Sequence, residues 1–300
     1  MRLAQSKLMS AFFNLVLGAT LLPTVLAAKV VTLGDSYSSG IGYYRDIFQY
    51  DDLFLTTEIL DGATYELTGG DFCARAVDVL AGARLAKAQG IEEVMIACGG
   101  ARLANLRQQI DYMNQLHSDE RTINWAGSTI IMTIGLNDLR SVGGSGWLST
   151  LQSCYLDVMG DCSSRSENQV NNTDTVKTEM ESVFQLLVSE ASDATIRIFG
   201  YGKLFQRNGE DCKESLLIGT GIADLLDDDY FGAINKVSAD VIAAIKKNNP
   251  TVDIEFVDVD NYRTIGSCTS KKPHLNGIVG CFPTPYSPAS YHPSASGFGR

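Results

Sequence analysis

The stretch that decides the fold is VVTLGDSYSSGIG, residues 30–42. Its first four residues are apolar or β-branched, which is typical of a buried β-strand. The strand runs into Gly34-Asp35-Ser36 and then into a small polar loop interrupted by glycines. In an open α/β sheet, ligands bind at the carboxyl ends of the strands. The pattern therefore predicts a first strand that ends in a loop carrying a candidate nucleophile, Ser36.

A serine hydroxyl needs a base within hydrogen-bond reach before it can act as a nucleophile, and the chain contains three histidines. His117 lies at the polar end of a predicted helix and His274 in a polar loop, so both are interpreted as ordinary surface residues. His292 directly precedes Pro293 and Ser294, which can begin and cap a helix. A histidine held just before a helix has a fixed direction, as a general base requires. His292 is therefore the candidate base.

Two further strand ends carry hydrogen-bond donors. Residues 94–98 predict a strand that ends at a glycine pair containing Gly100, and residues 128–134 predict a strand that ends in Gly-Leu-Asn-Asp, which contains Asn137. Backbone N–H groups and an asparagine amide at one sheet edge are the donors that an oxyanion hole requires. Gly100 also precedes a predicted helix, whose amino end favours negative charge. The candidate oxyanion donors are thus Ser36, Gly100 and Asn137.

These blocks, in this order, resemble the SGNH (GDSL-type) hydrolase family. The resemblance spans about residues 29–297 and rests on Gly34-Asp35-Ser36, Gly100, Gly135-Leu136-Asn137-Asp138 and His292. It implies a secreted serine esterase that hydrolyses lipid, acyl or acetyl esters of carboxylic acids through an acyl-enzyme. The expected catalytic residues are Ser36 and His292, with an oxyanion hole of Ser36, Gly100 and Asn137. No metal or organic cofactor is expected, and Asp35 and Asp138 are expected to brace their loops.

One position departs from the family pattern. The last block of the family is usually D-x-x-H, and the residue three before His292 is Ala289. A main-chain carbonyl can accept the same hydrogen bond from histidine Nδ1, and some of the secreted esterases that this chain resembles use one. We therefore expect a Ser36–His292 dyad oriented by a carbonyl at or near Ala289. The alternative is a carboxylate after the fifth strand, from Asp258 or Asp260.

The sequence leaves the substrate open, because the loops that form the pocket are its least readable part. A lipase, a phospholipase and a carbohydrate acetylesterase are all compatible with the site. A catalytically inactive secreted binding protein on the same fold is the alternative of a different class, suggested by the missing aspartate. Covalent labelling with a fluorophosphonate separates that alternative from an enzyme.

The alternation of strands and helices predicts an α/β fold. The pattern is a doubly wound parallel sheet of about five strands with helices on both faces, a three-layer sandwich that the resemblance also implies. Helical spacing covers residues 72–88, where Gly90 stops the helix. A later helix is predicted to be capped by Thr173 or Asp174, and residues 141–172 are predicted to be a polar insertion.

Residues 1–28 predict a secretory signal peptide, with a positive start, an apolar run and a small-residue cleavage site. Residues 29–300 are then expected to form a single secreted, extracellular domain, and a monomer. The net charge of −11 argues against nucleic acid as a partner, since phosphate contacts need clusters of lysine and arginine. No later segment is apolar enough to predict a membrane span. The partner that the resemblance implies is a small-molecule or polymer ester.

Seven cysteines in a secreted chain indicate disulfides, and none of them has zinc-site spacing. The resemblance implies the pairs Cys73–Cys98, Cys154–Cys162 and Cys212–Cys268, which leave Cys281 unpaired. A Cys268–Cys281 bridge is the competing possibility. The one glycosylation sequon starts at Asn171, where a glycan is expected.

Overall fold

The structure, a computed structural model, describes residues 28–40, 50–51, 56–57, 75, 80–118, 123–156, 166–204 and 224–259. Several predicted features lie outside these residues, namely the signal peptide before residue 28, Ala289, His292 and Asp260. Of the cysteines, the structure describes Cys98 and the backbone of Cys154, and the others lie outside the described residues.

The centre of the fold is a parallel β-sheet. The described strands are β1 (Lys29–Gly34), β2 (Tyr50–Asp51), β3 (Thr56–Thr57), β4 (Glu92–Met95), β5 (Thr129–Thr133), β6 (Thr195–Phe199) and β7 (Ile254–Val257). Five of them form one sheet in the order β4-β1-β5-β6-β7, and all its pairs are parallel. The strands β2 and β3 form a separate antiparallel pair. The predicted five-stranded parallel sheet is confirmed, and β1 lies between β4 and β5.

Helices connect the strands. They are α1 (Ser36–Ser39), α2 (Ala81–Gln89), α3 (Leu103–Ser118), α4 (Trp147–Leu156), α5 (Thr173–Glu190) and α6 (Ala233–Asn248), with a π-helical stretch at Leu225–Gly232 before α6. Short 3-10 turns cover Leu136–Asp138 and Ser166–Asn168. Gly90 ends α2 in the left-handed conformation with φ 68°, as its position after the helical pattern predicts.

The sheet is covered on both faces because neighbouring residues of a strand point in opposite directions. On one face, Val30 and Ile131 pack with Ala86 of α2. On the other face, Val31 and Ile130 belong to a larger apolar cluster that includes residues of α3, α5 and α6. This arrangement is the predicted doubly wound architecture.

Two local predictions differ from the structure. Part of the predicted polar insertion is the helix α4, which is stabilised by the burial of Trp147 and Leu151, one helical turn apart. The sequence does not predict this helix, because the residues around that apolar pair are mostly polar. The residue at the amino end of α5 is Asn172, not Thr173 or Asp174, and its side chain makes no capping bond.

Among the residues described, no helix is long and apolar enough to cross a membrane.

Candidate active site

The loop after β1 is shaped by Gly34. This residue has φ 112°, and a Cβ at its position would lie 2.3 Å from the carbonyl oxygen of Thr133. Only glycine fits, because an L side chain rarely adopts that φ and this close contact is with backbone. Asp35 follows, with its N–H donating to Thr133 O at 2.9 Å. The chain can therefore turn sharply from β1 into the one-turn helix α1, whose first residue is Ser36.

A glutamine from a distant helix clamps the same glycine. Gln109 of α3 accepts a hydrogen bond from Gly34 N at 2.8 Å and donates one to Gly34 O at 2.9 Å. The N–H of Cys98 also donates to Gly34 O, at 3.0 Å. The residue before Asp35-Ser36 is thus held from two sides. The contact of Gln109 with Gly34 could not be predicted from the sequence, because a polar residue in an amphipathic helix is normally assigned to the solvent face.

Three adjacent strand ends meet at this edge of the sheet. Because β1 lies between β4 and β5, the loops after these strands are neighbours. Gly100, in the loop after β4, is exposed and has φ 73°. Asn137, in the 3-10 turn after β5, is partly buried. Both line one cavity of about 460 Å³, so the structure brings these two predicted residues together beside the loop that carries Ser36.

The amide of Asn137 has a defined orientation. Its Nδ2 donates to Ala101 O at 3.0 Å, and its Oδ1 accepts from Trp147 Nε1 at 3.4 Å. An amide nitrogen carries two N–H groups, and the second has no partner among the described residues. The same is true of the Gly100 N–H. Two donors in one cavity are available for an oxyanion. Trp147, which holds Oδ1, was not singled out from the sequence.

A buried chain of hydrogen bonds connects the Ser36 loop to the loop of Asn137. Oδ1 of Asp35 accepts the Tyr37 N–H at 2.9 Å, and its Oδ2 accepts the hydroxyl hydrogen of Tyr201. The Tyr201 hydroxyl in turn accepts the Leu136 N–H at 3.1 Å. Burial raises the pKa of Asp35 to about 7, while the hydrogen bonds from Tyr201 and Tyr37 act to lower it. Asp35 therefore braces its loop, as expected from the sequence.

Asp138 has a comparable position in the second loop. Its Oδ2 accepts the Leu103 N–H at 3.0 Å, at the start of α3. Burial raises the pKa of Asp138 to about 6, against the lowering effect of the Leu103 N–H. The side chain of Asn172 holds this loop too, since Nδ2 donates to Asp138 O and Oδ1 accepts Arg140 N, both at 2.8 Å. Both polar atoms of the Asn172 side chain are thus bonded to this loop, which explains why the side chain makes no capping bond to α5.

The structure describes three of the remaining predicted residues, Asp258, Cys98 and Asn171, and the first two also follow strand ends at this edge. Asp258 is exposed and follows β7, which is separated from β1 by β5 and β6. Cys98 is disulfide-bonded, but the residue it bonds is not described, so the pairing with Cys73 stays a prediction. Asn171 is exposed just before α5, and its glycosylation is untested. In the described ranges, no cluster of three or more His, Cys, Asp or Glu side chains could hold a metal.

A sequence profile of the GDSL-like lipase/acylhydrolase family matches residues 30–297 of the chain. The chain belongs to this family. Members of the GDSL-like family are lipases and acylhydrolases, so the protein is an ester hydrolase. No curated protein sequence matches the chain significantly.

Two solved structures of bacterial enzymes are similar to this member of the GDSL-like family. The extracellular lipase from Streptomyces rimosus has 23% sequence identity and a TM-score of 0.61, over 91% of this chain and 95% of that chain. Phospholipase A1 from Streptomyces albidoflavus NA297 has 21% identity and a TM-score of 0.62, over the same shares, 91% and 95%. At these identities the likeness establishes the fold.

Proposed function

We propose that the protein is a secreted serine esterase that hydrolyses carboxylic esters through an acyl-enzyme on Ser36. Ser36 attacks the ester carbonyl, and His292 takes the hydroxyl proton. The N–H groups of Ser36 and Gly100 and the amide of Asn137 hold the oxyanion. The observation that supports this best is the cavity that Gly100 and Asn137 share beside the Ser36 loop, where each has an N–H without a partner among the described residues.

The reaction needs only groups of the protein and water. In acylation, a bond forms between Ser36 Oγ and the carbonyl carbon. The bond to the alcohol oxygen breaks, and that oxygen receives the proton held by His292. A water molecule then attacks the acyl-enzyme with His292 again as base, which releases the acid and restores the serine.

The group that orients His292 is proposed to be a backbone carbonyl at or near Ala289. Asp258 is a poor candidate, because it is exposed and follows β7, with two strands between β7 and β1. Asp260 is the other carboxylate to test. We expect Asp258→Asn and Asp260→Asn each to keep activity within about tenfold of wild type, whereas loss of a triad aspartate costs about 10⁴-fold. A collapse of turnover in either variant would show a triad.

The test of the nucleophile is covalent labelling with a fluorophosphonate, read by intact mass, together with hydrolysis of p-nitrophenyl butyrate. Wild type should gain one label, and Ser36→Ala should gain none and lose several orders of magnitude in turnover. Ser189→Ala is the control, since Ser189 is an exposed serine on α5 whose hydroxyl donates to Leu186 O at 2.7 Å, its one partner among the described residues. A folded Ser36→Ala protein with more than about a tenth of wild-type activity would refute the assignment.

Secretion and its modifications are part of the proposal. The sequence of residues 1–28 supports export, and the neighbour from Streptomyces rimosus is described as extracellular. Amino-terminal sequencing of protein from the medium should begin near Ala28. Peptide mapping without reduction should find Cys73–Cys98, Cys154–Cys162 and Cys212–Cys268, and a glycan on Asn171 in a host that glycosylates. A Cys268–Cys281 peptide would refute the third bridge.

A further inference from the structure

The cavity that contains Gly100 and Asn137 is also lined by two guanidinium groups, those of Arg102 and Arg140. The other described lining residues are small or uncharged, namely Gly143, Gly144, Ser145, Gly146, Trp147, Leu148 and Ser149. None of them carries a carboxylate. This local excess of positive charge is unexpected, because the whole chain has a net charge of −11.

The guanidinium group of Arg140 is fixed by the hydrogen bonds of one nitrogen, while its other two nitrogens have donors to spare. Its Nη1 donates to the carbonyl oxygens of Asn137 and Leu139, both at 2.7 Å. Gly146 makes room for it, since a Cβ there would lie 3.2 Å from Nη1. The Nε and Nη2 groups of Arg140 have no hydrogen-bond partner among the residues described. The guanidinium thus has a fixed position relative to Asn137 and still presents donors.

Arg102 supplies the second charge. Its side chain is exposed and forms no salt bridge with a carboxylate in the described ranges. The charge of Arg102 contributes, after burial, to lowering the pKa of Arg140. Asp138 attracts both guanidinium groups, but its Oδ2 accepts the Leu103 N–H. The two arginines therefore repel one another, Asp138 offsets part of that repulsion, and neither guanidinium group forms an ion pair with a carboxylate in the described part of the chain.

We propose that this cavity is an anion subsite in which Arg102 and Arg140 bind a phosphate or carboxylate group carried by the ester substrate. A guanidinium stays charged at all working pH values and presents its donors in a planar fork that matches phosphate and carboxylate oxygens. The inference rests on the proposed function, since it requires that the ester carbonyl reach Asn137. The protein then selects esters with an anionic group close to the scissile bond, although its overall charge repels anionic surfaces.

The experiment compares substrates that differ only in the anion. Hexanoylglycerol phosphate is paired with hexanoylglycerol, and p-nitrophenyl hydrogen glutarate is paired with p-nitrophenyl pentanoate. The first pair tests a phosphate in the alcohol part and the second a carboxylate in the acyl part. For each pair, kcat/KM is measured for wild type, Arg102→Gln, Arg102→Glu and Arg107→Gln. Arg107 is the matched control, because it is an exposed arginine on α3 that donates to Ser182 Oγ at 3.1 Å and does not line the cavity.

We expect wild type to prefer the anionic member of one pair by about tenfold, as for one partly solvated hydrogen bond to a charged group. Arg102→Gln should abolish most of that preference, Arg102→Glu should reverse it, and Arg107→Gln should leave it unchanged. The preference should also fall when sodium chloride is raised to about 1 M, because the charges are partly exposed. The pair that shows the effect identifies the source of the anion.

Failure of the subsite and failure of the function have different results. If wild type hydrolyses both members of each pair without an anionic preference, or if Arg102→Gln keeps the preference, the subsite is refuted and the esterase remains. If wild type hydrolyses none of the four esters, the proposed function fails, and the subsite with it.

Discussion

Removing one hydroxyl, in Tyr201→Phe, tests the buried hydrogen-bonded chain that joins the Ser36 loop to the Asn137 loop. The Tyr201 hydroxyl is the shared partner of Asp35 Oδ2 and Leu136 N, and the ring is only 1% exposed, so water cannot easily replace it. The variant leaves a buried acceptor and a buried donor unsatisfied. Each such group costs about 1–3 kcal/mol, and the expected loss in the free energy of unfolding is therefore about 2–6 kcal/mol.

The size of that loss should depend on pH in a defined direction. Burial raises the pKa of Asp35 from 3.8 to about 7. The folded protein therefore binds a proton there that the unfolded chain loses, and the contribution of Asp35 to stability declines as pH rises from about 4 to about 7. At about pH 5 the Tyr201 hydroxyl faces a neutral carboxyl group, and at about pH 9 a carboxylate, whose hydrogen bond is roughly 1 kcal/mol stronger. Tyr201→Phe should thus cost more at the higher pH.

Urea unfolding at the two pH values measures the effect. Tyr230→Phe is the matched control, because the Tyr230 ring is also buried and its hydroxyl bonds neutral groups among the described residues, namely Thr150 Oγ1 at 3.0 Å, Asn168 O at 3.3 Å and the Ser141 side chain. Its cost should not change with pH. Asp35→Asn should flatten the decline in wild-type stability between about pH 4 and pH 7. Equal costs of Tyr201→Phe at both pH values would show that Asp35 is not the charged partner.

Two further substitutions test how the loops are positioned. Gly34→Ala should destabilise the protein by more than about 2 kcal/mol and lower kcat for p-nitrophenyl butyrate, because the new Cβ would collide with the backbone of Thr133. Gly90→Ala is the control, since φ is also positive there but space is open; it should cost only about 1 kcal/mol and leave kcat unchanged. Equal effects of the two substitutions would contradict this reasoning. Trp147→Phe should lower kcat about threefold to tenfold with little change in KM, because Asn137 Oδ1 loses the hydrogen bond that orients its amide. A change in KM alone would instead mean that Trp147 contacts the substrate.

The sheet could be predicted from the sequence because its signals are local. Short runs rich in β-branched residues, such as 30–33 and 129–134, are typical of buried strands. Gly90 ends α2, and Asn249-Pro250 follows α6, each for a backbone reason visible in a few residues. The strand order then places Gly100 and Asn137 at the edge that carries Ser36, since the carboxyl ends of parallel strands share one edge.

The supporting contacts could not be predicted because they join residues far apart in the chain. Gln109 acts on Gly34, and Tyr201 on Asp35. No periodicity marks a glutamine that faces inward, and nothing in the residues around Tyr201, two positions after β6, marks its hydroxyl as a partner of Asp35. Trp147 lies in a helix that follows a run of small polar residues typical of a loop. Each of these side chains is recognisable only from the partner that the fold brings to it.

These contacts also indicate how closely the site depends on the fold. The segment Gly34-Asp35 is bonded to α3 through Gln109, to the end of β5 through Thr133, and to Leu136 through Tyr201. Leu136 directly precedes Asn137, so a displacement of either partner of the Tyr201 hydroxyl changes the position of Ser36, the proposed nucleophile, relative to Asn137, a proposed oxyanion donor. Buried hydrogen-bond networks of this kind are cooperative, and an oxyanion hole tolerates little misplacement. Under the proposed mechanism, side chains distant from the substrate therefore contribute to turnover by fixing the position of Ser36 relative to Asn137.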